Sequence, residues 1–174
     1  MPTTVIPFRG EDAKQRLPED LRAELARAML ADVVAAAEEI GEAIVADGAG
    51  QGAAVEAALQ HARELPVLVV NSDVPAATPR DLLTLLGSVP PDGIAVVAAG
   101  DGTTNALALA TPALFEPVYG PGSAARFLEL APSRRVEIPN LADDVDSFAD
   151  LLRLEARLGR HTAAALDALT AAAR

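Results

Sequence analysis

The chain has 174 residues, no cysteine and two histidines, and its formal net charge is −11. That length suits one domain with a single core, and the missing cysteines exclude a thiol nucleophile, a disulfide framework and a zinc-thiolate site. The acidic balance argues against general affinity for nucleic acid or anionic membrane, both of which need clustered cations, while leaving room for a small anionic substrate held by a few focused Lys and Arg.

The N-terminus has no charged start followed by an apolar core, and the longest apolar runs fall far short of the roughly 20 residues that cross a bilayer. A cytoplasmic protein is the expectation. Thr3 to Pro7 reads as a short apolar strand that runs into a polar loop, Phe8 to Leu17, carrying separated cations. Pro18 opens an alanine-rich helix to about Ile40, with proline at a favoured first-turn position and Glu19 and Asp20 at the positive helix end. Leu21, Leu25, Met29, Val33 and Ala36 recur at helical spacing as its buried stripe, and Gly41 closes it.

Glu42 to Asp47 forms the next strand, followed by Gly48-Ala49-Gly50-Gln51-Gly52 and a helix from Ala53 to Leu65. Strand, glycine turn, helix is a layout that brings backbone N–H groups to a nucleotide, and it equally fits a tight βα turn with no ligand. Val67 to Val70 is four large apolar residues, three of them β-branched, as expected of a strand covered on both faces. It breaks into Asn71-Ser72-Asp73-Val74-Pro75, which places Asp73 beyond the carboxyl end of the strand, where ligands bind in parallel sheets. A carboxylate there suits Mg²⁺ brought in by a nucleoside triphosphate, or simply caps the turn.

Thr78-Pro79 starts a helix to Gly87, and Ile94 to Ala98 is another strand. Strands and helices alternating in this way predict a single-domain, three-layer α/β/α fold on a mostly parallel, mixed sheet, Rossmann-like in type. Gly100 to Asn105 reads as a turn, with Ala106 to Leu109 as a short strand pairing back antiparallel. Tyr119-Gly120-Pro121-Gly122-Ser123 leads into a helix from Ala124 to Leu130 whose N-terminus can take a phosphate or carboxylate. Arg135 to Ile138 is a last strand that leads to Asp143, Asp144 and Asp146, so two strands ending in acids could share one metal. Phe148 to Gly159 and Thr162 to Arg174 are helices, the second expected on the outside of the sheet or against a second copy. His61 and His161 both fall in predicted helices as solvent-facing residues, leaving little material for a Ser-His-Asp triad.

Taken in order, several segments resemble the family of 2-phospho-L-lactate and phosphoenolpyruvate guanylyltransferases of coenzyme F420 biosynthesis, on a nucleotide-diphospho-sugar transferase-like fold. They are Ile6-Pro7 with Lys14, Arg16 and Leu17; Val69 to Pro75; Asp101 to Leu107; Tyr119 to Ser123; and Asn140 to Asp146. The resemblance implies a reaction that joins GMP from GTP to the phosphate of phosphoenolpyruvate or 2-phospho-L-lactate with release of pyrophosphate. It implies that Pro7, Arg9, Lys14, Gly50 and Gly52 meet the nucleotide, and that Lys14 and Arg16 offset charge on the leaving pyrophosphate. Asp73 with Asp144 or Asp146 would bind Mg²⁺, while Thr104, Gly120, Gly122 and Ser123 would hold the phosphorylated acid. The acceptor phosphate is already an anion, which fits the scarcity of histidine.

The chain departs from the family in two places. Asn71 stands where members often carry Asp, and about one βα unit is missing between the first helix and Asp47. Two other readings accompany this one: a transferase for another phosphorylated acceptor, and a non-catalytic binding or scaffold protein derived from the family.

Overall fold

A strand without a polar side chain must be covered on both faces, and each residue of the Val67–Val70 strand is at most 1% exposed. The computed structural model describes residues 1–10, 16–17, 19–48 and 50–172; Lys14, Pro18, Ala49 and the expected helix end at Arg174 lie outside the described residues. Along the chain the elements run β1 (Thr3–Phe8), α1 (Glu19–Glu38), β2 (Glu42–Asp47), α2 (Gln51–Leu59), β3 (Val67–Val70), α3 (Pro79–Leu86) and β4 (Ile94–Ala98). They continue through β5 (Thr104–Leu109), α4 (Ser123–Glu129), β6 (Ser133–Arg135), α5 (Pro139–Ala142), α6 (Phe148–Leu154) and α7 (Arg160–Ala172).

Among the described residues the sheet has six strands in the order β2-β1-β3-β5-β4-β6. The pairs β1–β2, β1–β3 and β4–β6 are parallel, and β5 runs antiparallel to both of its neighbours. The alternation of β3 divides the core. Leu68 and Val70 face α1, α3 and α5, together with Ile6, Val33, Leu82, Leu85 and Leu141. Val67 and Val69 face α2 and α4, with Val5, Val55, Leu59, Leu107 and Phe127. The three-layer α/β/α architecture follows, and no helix among the described residues is long and apolar enough to cross a membrane.

The stripe on α1 is buried at Leu25, Met29, Val33 and Ala36, with Leu21 partly buried. Both short helices with local caps begin where the sequence signals them. Thr78 and Asp81 form a capping box at α3, as do Ser147 and Asp150 at α6.

Several expected boundaries move. β6 is Ser133–Arg135 rather than Arg135 to Ile138, because Pro139 opens α5 and the exposed edge strand pairs only with β4. α2 stops at Leu59, so His61 lies beyond the helix, its Nδ1 3.1 Å from the Ala57 carbonyl. The helix expected to reach Gly159 ends at Leu154 and continues as a 3-10 turn, Glu155–Arg157. β5 starts at Thr104, two residues before the expected strand. α7 begins at Arg160 because Asp32 of α1 accepts the backbone N–H groups of His161 and Thr162, both at 2.9 Å.

Nor does α7 lie on the sheet. Both sheet faces are already covered, and α7 packs with α6 on α1 through Ala165, Leu166, Leu151, Leu154, Leu25 and Met29.

The short path from α1 to β2 depends on Gly41. Its N–H bonds the Ala37 carbonyl at 3.0 Å, Glu42 N–H bonds the Pro2 carbonyl at 3.0 Å, and a Cβ on Gly41 would run into that same carbonyl. Gly41→Ala is therefore expected to destabilise the protein by about 1–3 kcal/mol, the usual cost of overpacking, as a drop in denaturation midpoint at unchanged m-value.

Asp150 supplies a pH test of the α6 cap. Burial would raise its carboxyl, but hydrogen bonds from Ser147, Arg153 and the Asp146 and Ser147 backbone outweigh this and hold it below the ordinary 3.8. A depressed native value gives stability that is complete above the unfolded value and lost as pH falls through the native one. The destabilisation caused by Asp150→Asn should accordingly shrink as denaturation is repeated at progressively lower pH below 3.8.

Candidate active site

Strand order progresses outward from β1 to β2 on one side and through β3 on the other. In open α/β sheets such a switch point leaves a crevice beyond the strand ends. A cleft of about 320 Å³ opens there, bounded by the end of β1, the loop after β3, the β4–β5 turn, the segment before α4 and the loop after α5.

The acidic corner of the cleft is built from two loops. Val145 N–H donates to the Asp73 carbonyl at 2.9 Å, which fastens the loop after α5 to the loop after β3. One carboxylate oxygen each from Asp73, Asp144 and Asp146 then lies within 4.8 Å of the others, all three residues half-buried. Burial, and next the charge of Asp73, push the Asp144 carboxyl above its usual range, partly offset by a hydrogen bond from Asn105. A hard, all-oxygen donor set of this span suits a cation such as Mg²⁺, whose ligand oxygens stand about 2.0–2.1 Å from the ion.

Asp143 points elsewhere. It pairs with Arg153 at 3.0 Å and Arg157 at 2.6 Å, so Asp144 and Asp146 are the acids that join Asp73. Arg16 is exposed, with Nη1 3.9 Å from Asp146 Oδ2, and is absent from the cleft lining. Lys14 lies outside the described residues.

The opposite wall comes from β5 and α4. Thr104 and Ser123 line the cleft as nearly buried hydroxyls, 3% and 0% exposed, with their oxygens 2.9 Å apart. Gly120 also lines it, whereas Gly122 sits just behind as the left-handed N-cap of α4. The φ angles of 109° and 71° at these two positions explain the glycines.

Two further features hold this turn. Arg126 donates to the carbonyls of Val118, Tyr119 and Pro121 at 2.7–3.3 Å. Tyr119 stacks edge-on with Phe127 at 5.2 Å and lies 6.1 Å from Phe115. Three of the five aromatic side chains in the chain thus anchor one turn. Burial drives the Tyr119 phenol far above its ordinary value, so it remains neutral.

Of the residues expected to meet the nucleotide, Pro7 and Arg9 reach the cleft from the end of β1. Gly50 is the N-cap of α2 and Gly52 packs on Pro117, where a Cβ would come within 2.6 Å of the Pro117 Cβ; neither lines the cleft. The residue of that loop that does line it is Gln51. In the sequence Gln51 is one polar residue among glycines and Arg126 reads as an ordinary helix-surface cation, while Asn105 and Tyr119 stand inside the expected segments with no role of their own. Neither histidine lines the cleft.

Residues 3–154 match the family described as Guanylyl transferase CofC like. The 2-phospho-L-lactate guanylyltransferase of Natrialba magadii is 32% identical over 207 residues, an alignment covering 92% of this chain and 85% of that protein. The phosphoenolpyruvate guanylyltransferase of Roseiflexus castenholzii is 33% identical over 195 residues, covering 92% of this chain and 90% of that protein. Both alignments exceed the 174 residues of the chain, so these relatives carry segments that it lacks. Among solved structures, a protein of Desulfovibrio desulfuricans G20 assigned to the nucleotide-diphospho-sugar transferases superposes with a TM-score of 0.75 at 18% identity, over 98% of this chain and 96% of that one. That superposition places the architecture among the nucleotidyltransferase folds, and the match over 3–154 settles the family: the chain belongs to the CofC-like guanylyl transferases, which are nucleotidyltransferases.

Proposed function

We propose that this protein transfers GMP from GTP to the phosphate of phosphoenolpyruvate or 2-phospho-L-lactate, releasing pyrophosphate, as a step of coenzyme F420 biosynthesis. The observation that carries the reading is the convergence in one cleft of three carboxylates, a buried hydroxyl pair beside a glycine turn, and Arg9. The acids and the hydroxyl pair lie on different walls, as a reaction between two anionic substrates needs. The names of the relatives supply the two candidate acceptors.

In this mechanism an acceptor phosphate oxygen attacks the α-phosphorus of GTP, and the bond from that phosphorus to the bridging oxygen of the β-phosphate breaks. The oxygen and its electron pair leave with pyrophosphate. Thr104, Ser123 and the Gly120 turn hold the acid, with the Arg126 guanidinium beneath the turn keeping its carbonyls away from the anion. Arg9 and Arg16 meet triphosphate charge from the open side, and Lys14 adds its charge to theirs. Asp73, Asp144 and Asp146 would hold Mg²⁺, which would supply charge neutralisation and alignment of the phosphates. The nucleophile is already ionised, so no side-chain base is assigned; proximity and charge stabilisation carry the rate.

Pyrophosphate release with GTP and Mg²⁺, measured separately with each acid and with ATP and CTP as controls, tests the reaction, acceptor and base together. Release with neither acid from folded protein would overturn the reading. Asp73→Asn should lower turnover by at least about 100-fold, the scale on which a group stabilising transition-state charge acts, with the melting temperature retained. Ser123→Ala should raise the KM for the acid by about two- to tenfold, the worth of one hydrogen bond, and leave the KM for GTP unmoved. A selective rise in the GTP value would show that the two subsites are reversed.

A further inference from the structure

A chain of amides crosses the cleft from the nucleotide side to the metal acids. Arg9 Nη2 donates to Gln51 Oε1 at 3.0 Å, and Gln51 Nε2 donates to Asn71 Oδ1 at 2.7 Å. Asn71 Nδ2 faces Asn105 Oδ1 at 3.5 Å, and Asn105 Nδ2 faces Asp144 Oδ1 at 3.4 Å. Every donor points the same way, from the cation toward the carboxylate.

That direction is fixed by partners whose roles leave no choice. Arginine only donates, so Gln51 must offer its oxygen to Arg9 and its nitrogen to Asn71. A backbone carbonyl only accepts: Thr104 O takes the Asn71 nitrogen at 3.1 Å, and Ala142 O takes the Asn105 nitrogen at 3.1 Å. None of the three amides can flip without setting oxygen against oxygen or nitrogen against nitrogen. Asn71 is needed here as an amide, because a carboxylate at that position would oppose the Thr104 carbonyl.

We propose that Gln51, Asn71 and Asn105 form a one-way relay that orients the metal carboxylate Asp144 from the nucleotide side of the cleft, with Gln51 and Asn71 acting as positioning residues. The relay rests on the divalent-cation reading of the Asp73, Asp144 and Asp146 cluster. Its outer end, Arg9, is exposed to an incoming triphosphate, and its inner member, Asn105, is 2% exposed and held rigidly on β5. Among the described residues Gln51 hydrogen-bonds Arg9 and Asn71 and none of the three acids, so its hydrogen-bonded route to Asp144 runs through Asn71 and Asn105.

The test is Mn²⁺ binding by the whole protein without nucleotide, followed by the electron paramagnetic resonance of the free ion. Gln51→Met should weaken Mn²⁺ by about threefold to tenfold, short of the roughly 10- to 100-fold typical of a partner lying directly on a ligand, with no change in melting temperature. Asn71→Ala should weaken it at least as much, and the double variant should be no weaker than Asn71→Ala alone, as for residues acting in series. Unchanged Mn²⁺ affinity in folded Gln51→Met, or fully additive losses, would overturn the relay. Asp73→Asn separates the two readings: if it weakens Mn²⁺ while Gln51→Met does not, the metal site stands and the relay falls. Wild-type protein that binds no Mn²⁺ would overturn both.

Discussion

The site depends on holding like charges together. Three carboxylates with oxygens within 4.8 Å of one another repel, and an unrestrained loop would swing its acids out to water. What prevents this is backbone: the Val145 N–H to Asp73 carbonyl bond at 2.9 Å ties the two loops into one unit. On one side of that bond β3 ends, buried on both faces. On the other, Val145 is fully buried in the cluster formed by α1, α6 and α7. The acids are therefore anchored through apolar neighbours that carry no charge themselves, and burial then raises the protonation tendency of Asp144.

The C-terminal helices extend the same restraint. Gly159 N–H bonds the Pro75 carbonyl at 2.8 Å, two residues along the loop from Asp73. The start of α7 is capped from a distance by Asp32, a buried carboxylate whose two backbone donors arrive across the α1 surface. Helices that look peripheral to a nucleotidyltransferase sheet thus form a brace behind the loop that carries Asp73. Local opening of α6 and α7 would loosen the acids from behind, through Val145 and through Met29, which packs with these helices and also lines the cleft.

The antiparallel strand β5 distributes function by its pleat. Successive side chains of a strand point to opposite faces, so Thr104 meets Ser123 on the wall formed with α4 while Asn105 meets Ala142 and Asp144 beside the three acids. One strand that belongs to a hairpin, flanked by strands running the other way, serves both walls of the cleft from a rigid base. The Asp101 carboxylate closes that hairpin through hydrogen bonds to the Thr103 hydroxyl and amide at 2.6 and 2.9 Å, which draw its proton affinity below the ordinary value.

Local chemistry alone determined much of this protein. The uniform apolarity of Val67 to Val70 specified a doubly covered strand, Thr78 with Asp81 a capped helix, Gly41 a tight return, and Asp73 a carboxylate beyond a strand end. Local sequence left Asp143, Asp144 and Asp146 equal candidates beside Asp73, and the resemblance narrowed them to Asp144 or Asp146; α5 rather than a strand directly precedes them, and Arg153 and Arg157 hold Asp143 away. Other features rest on partners far away in sequence. The cap on α7 comes from a residue in α1, its packing surface exists because both sheet faces are already occupied, and the roles of Gln51 and Arg126 depend on which carbonyls and amides the fold brings within reach. Periodicity and turn residues report what a segment does with its own neighbours. Which polar atom finds which distant partner is decided by the tertiary packing, since the free energy of a buried hydrogen bond belongs to a pair and neither half announces the other.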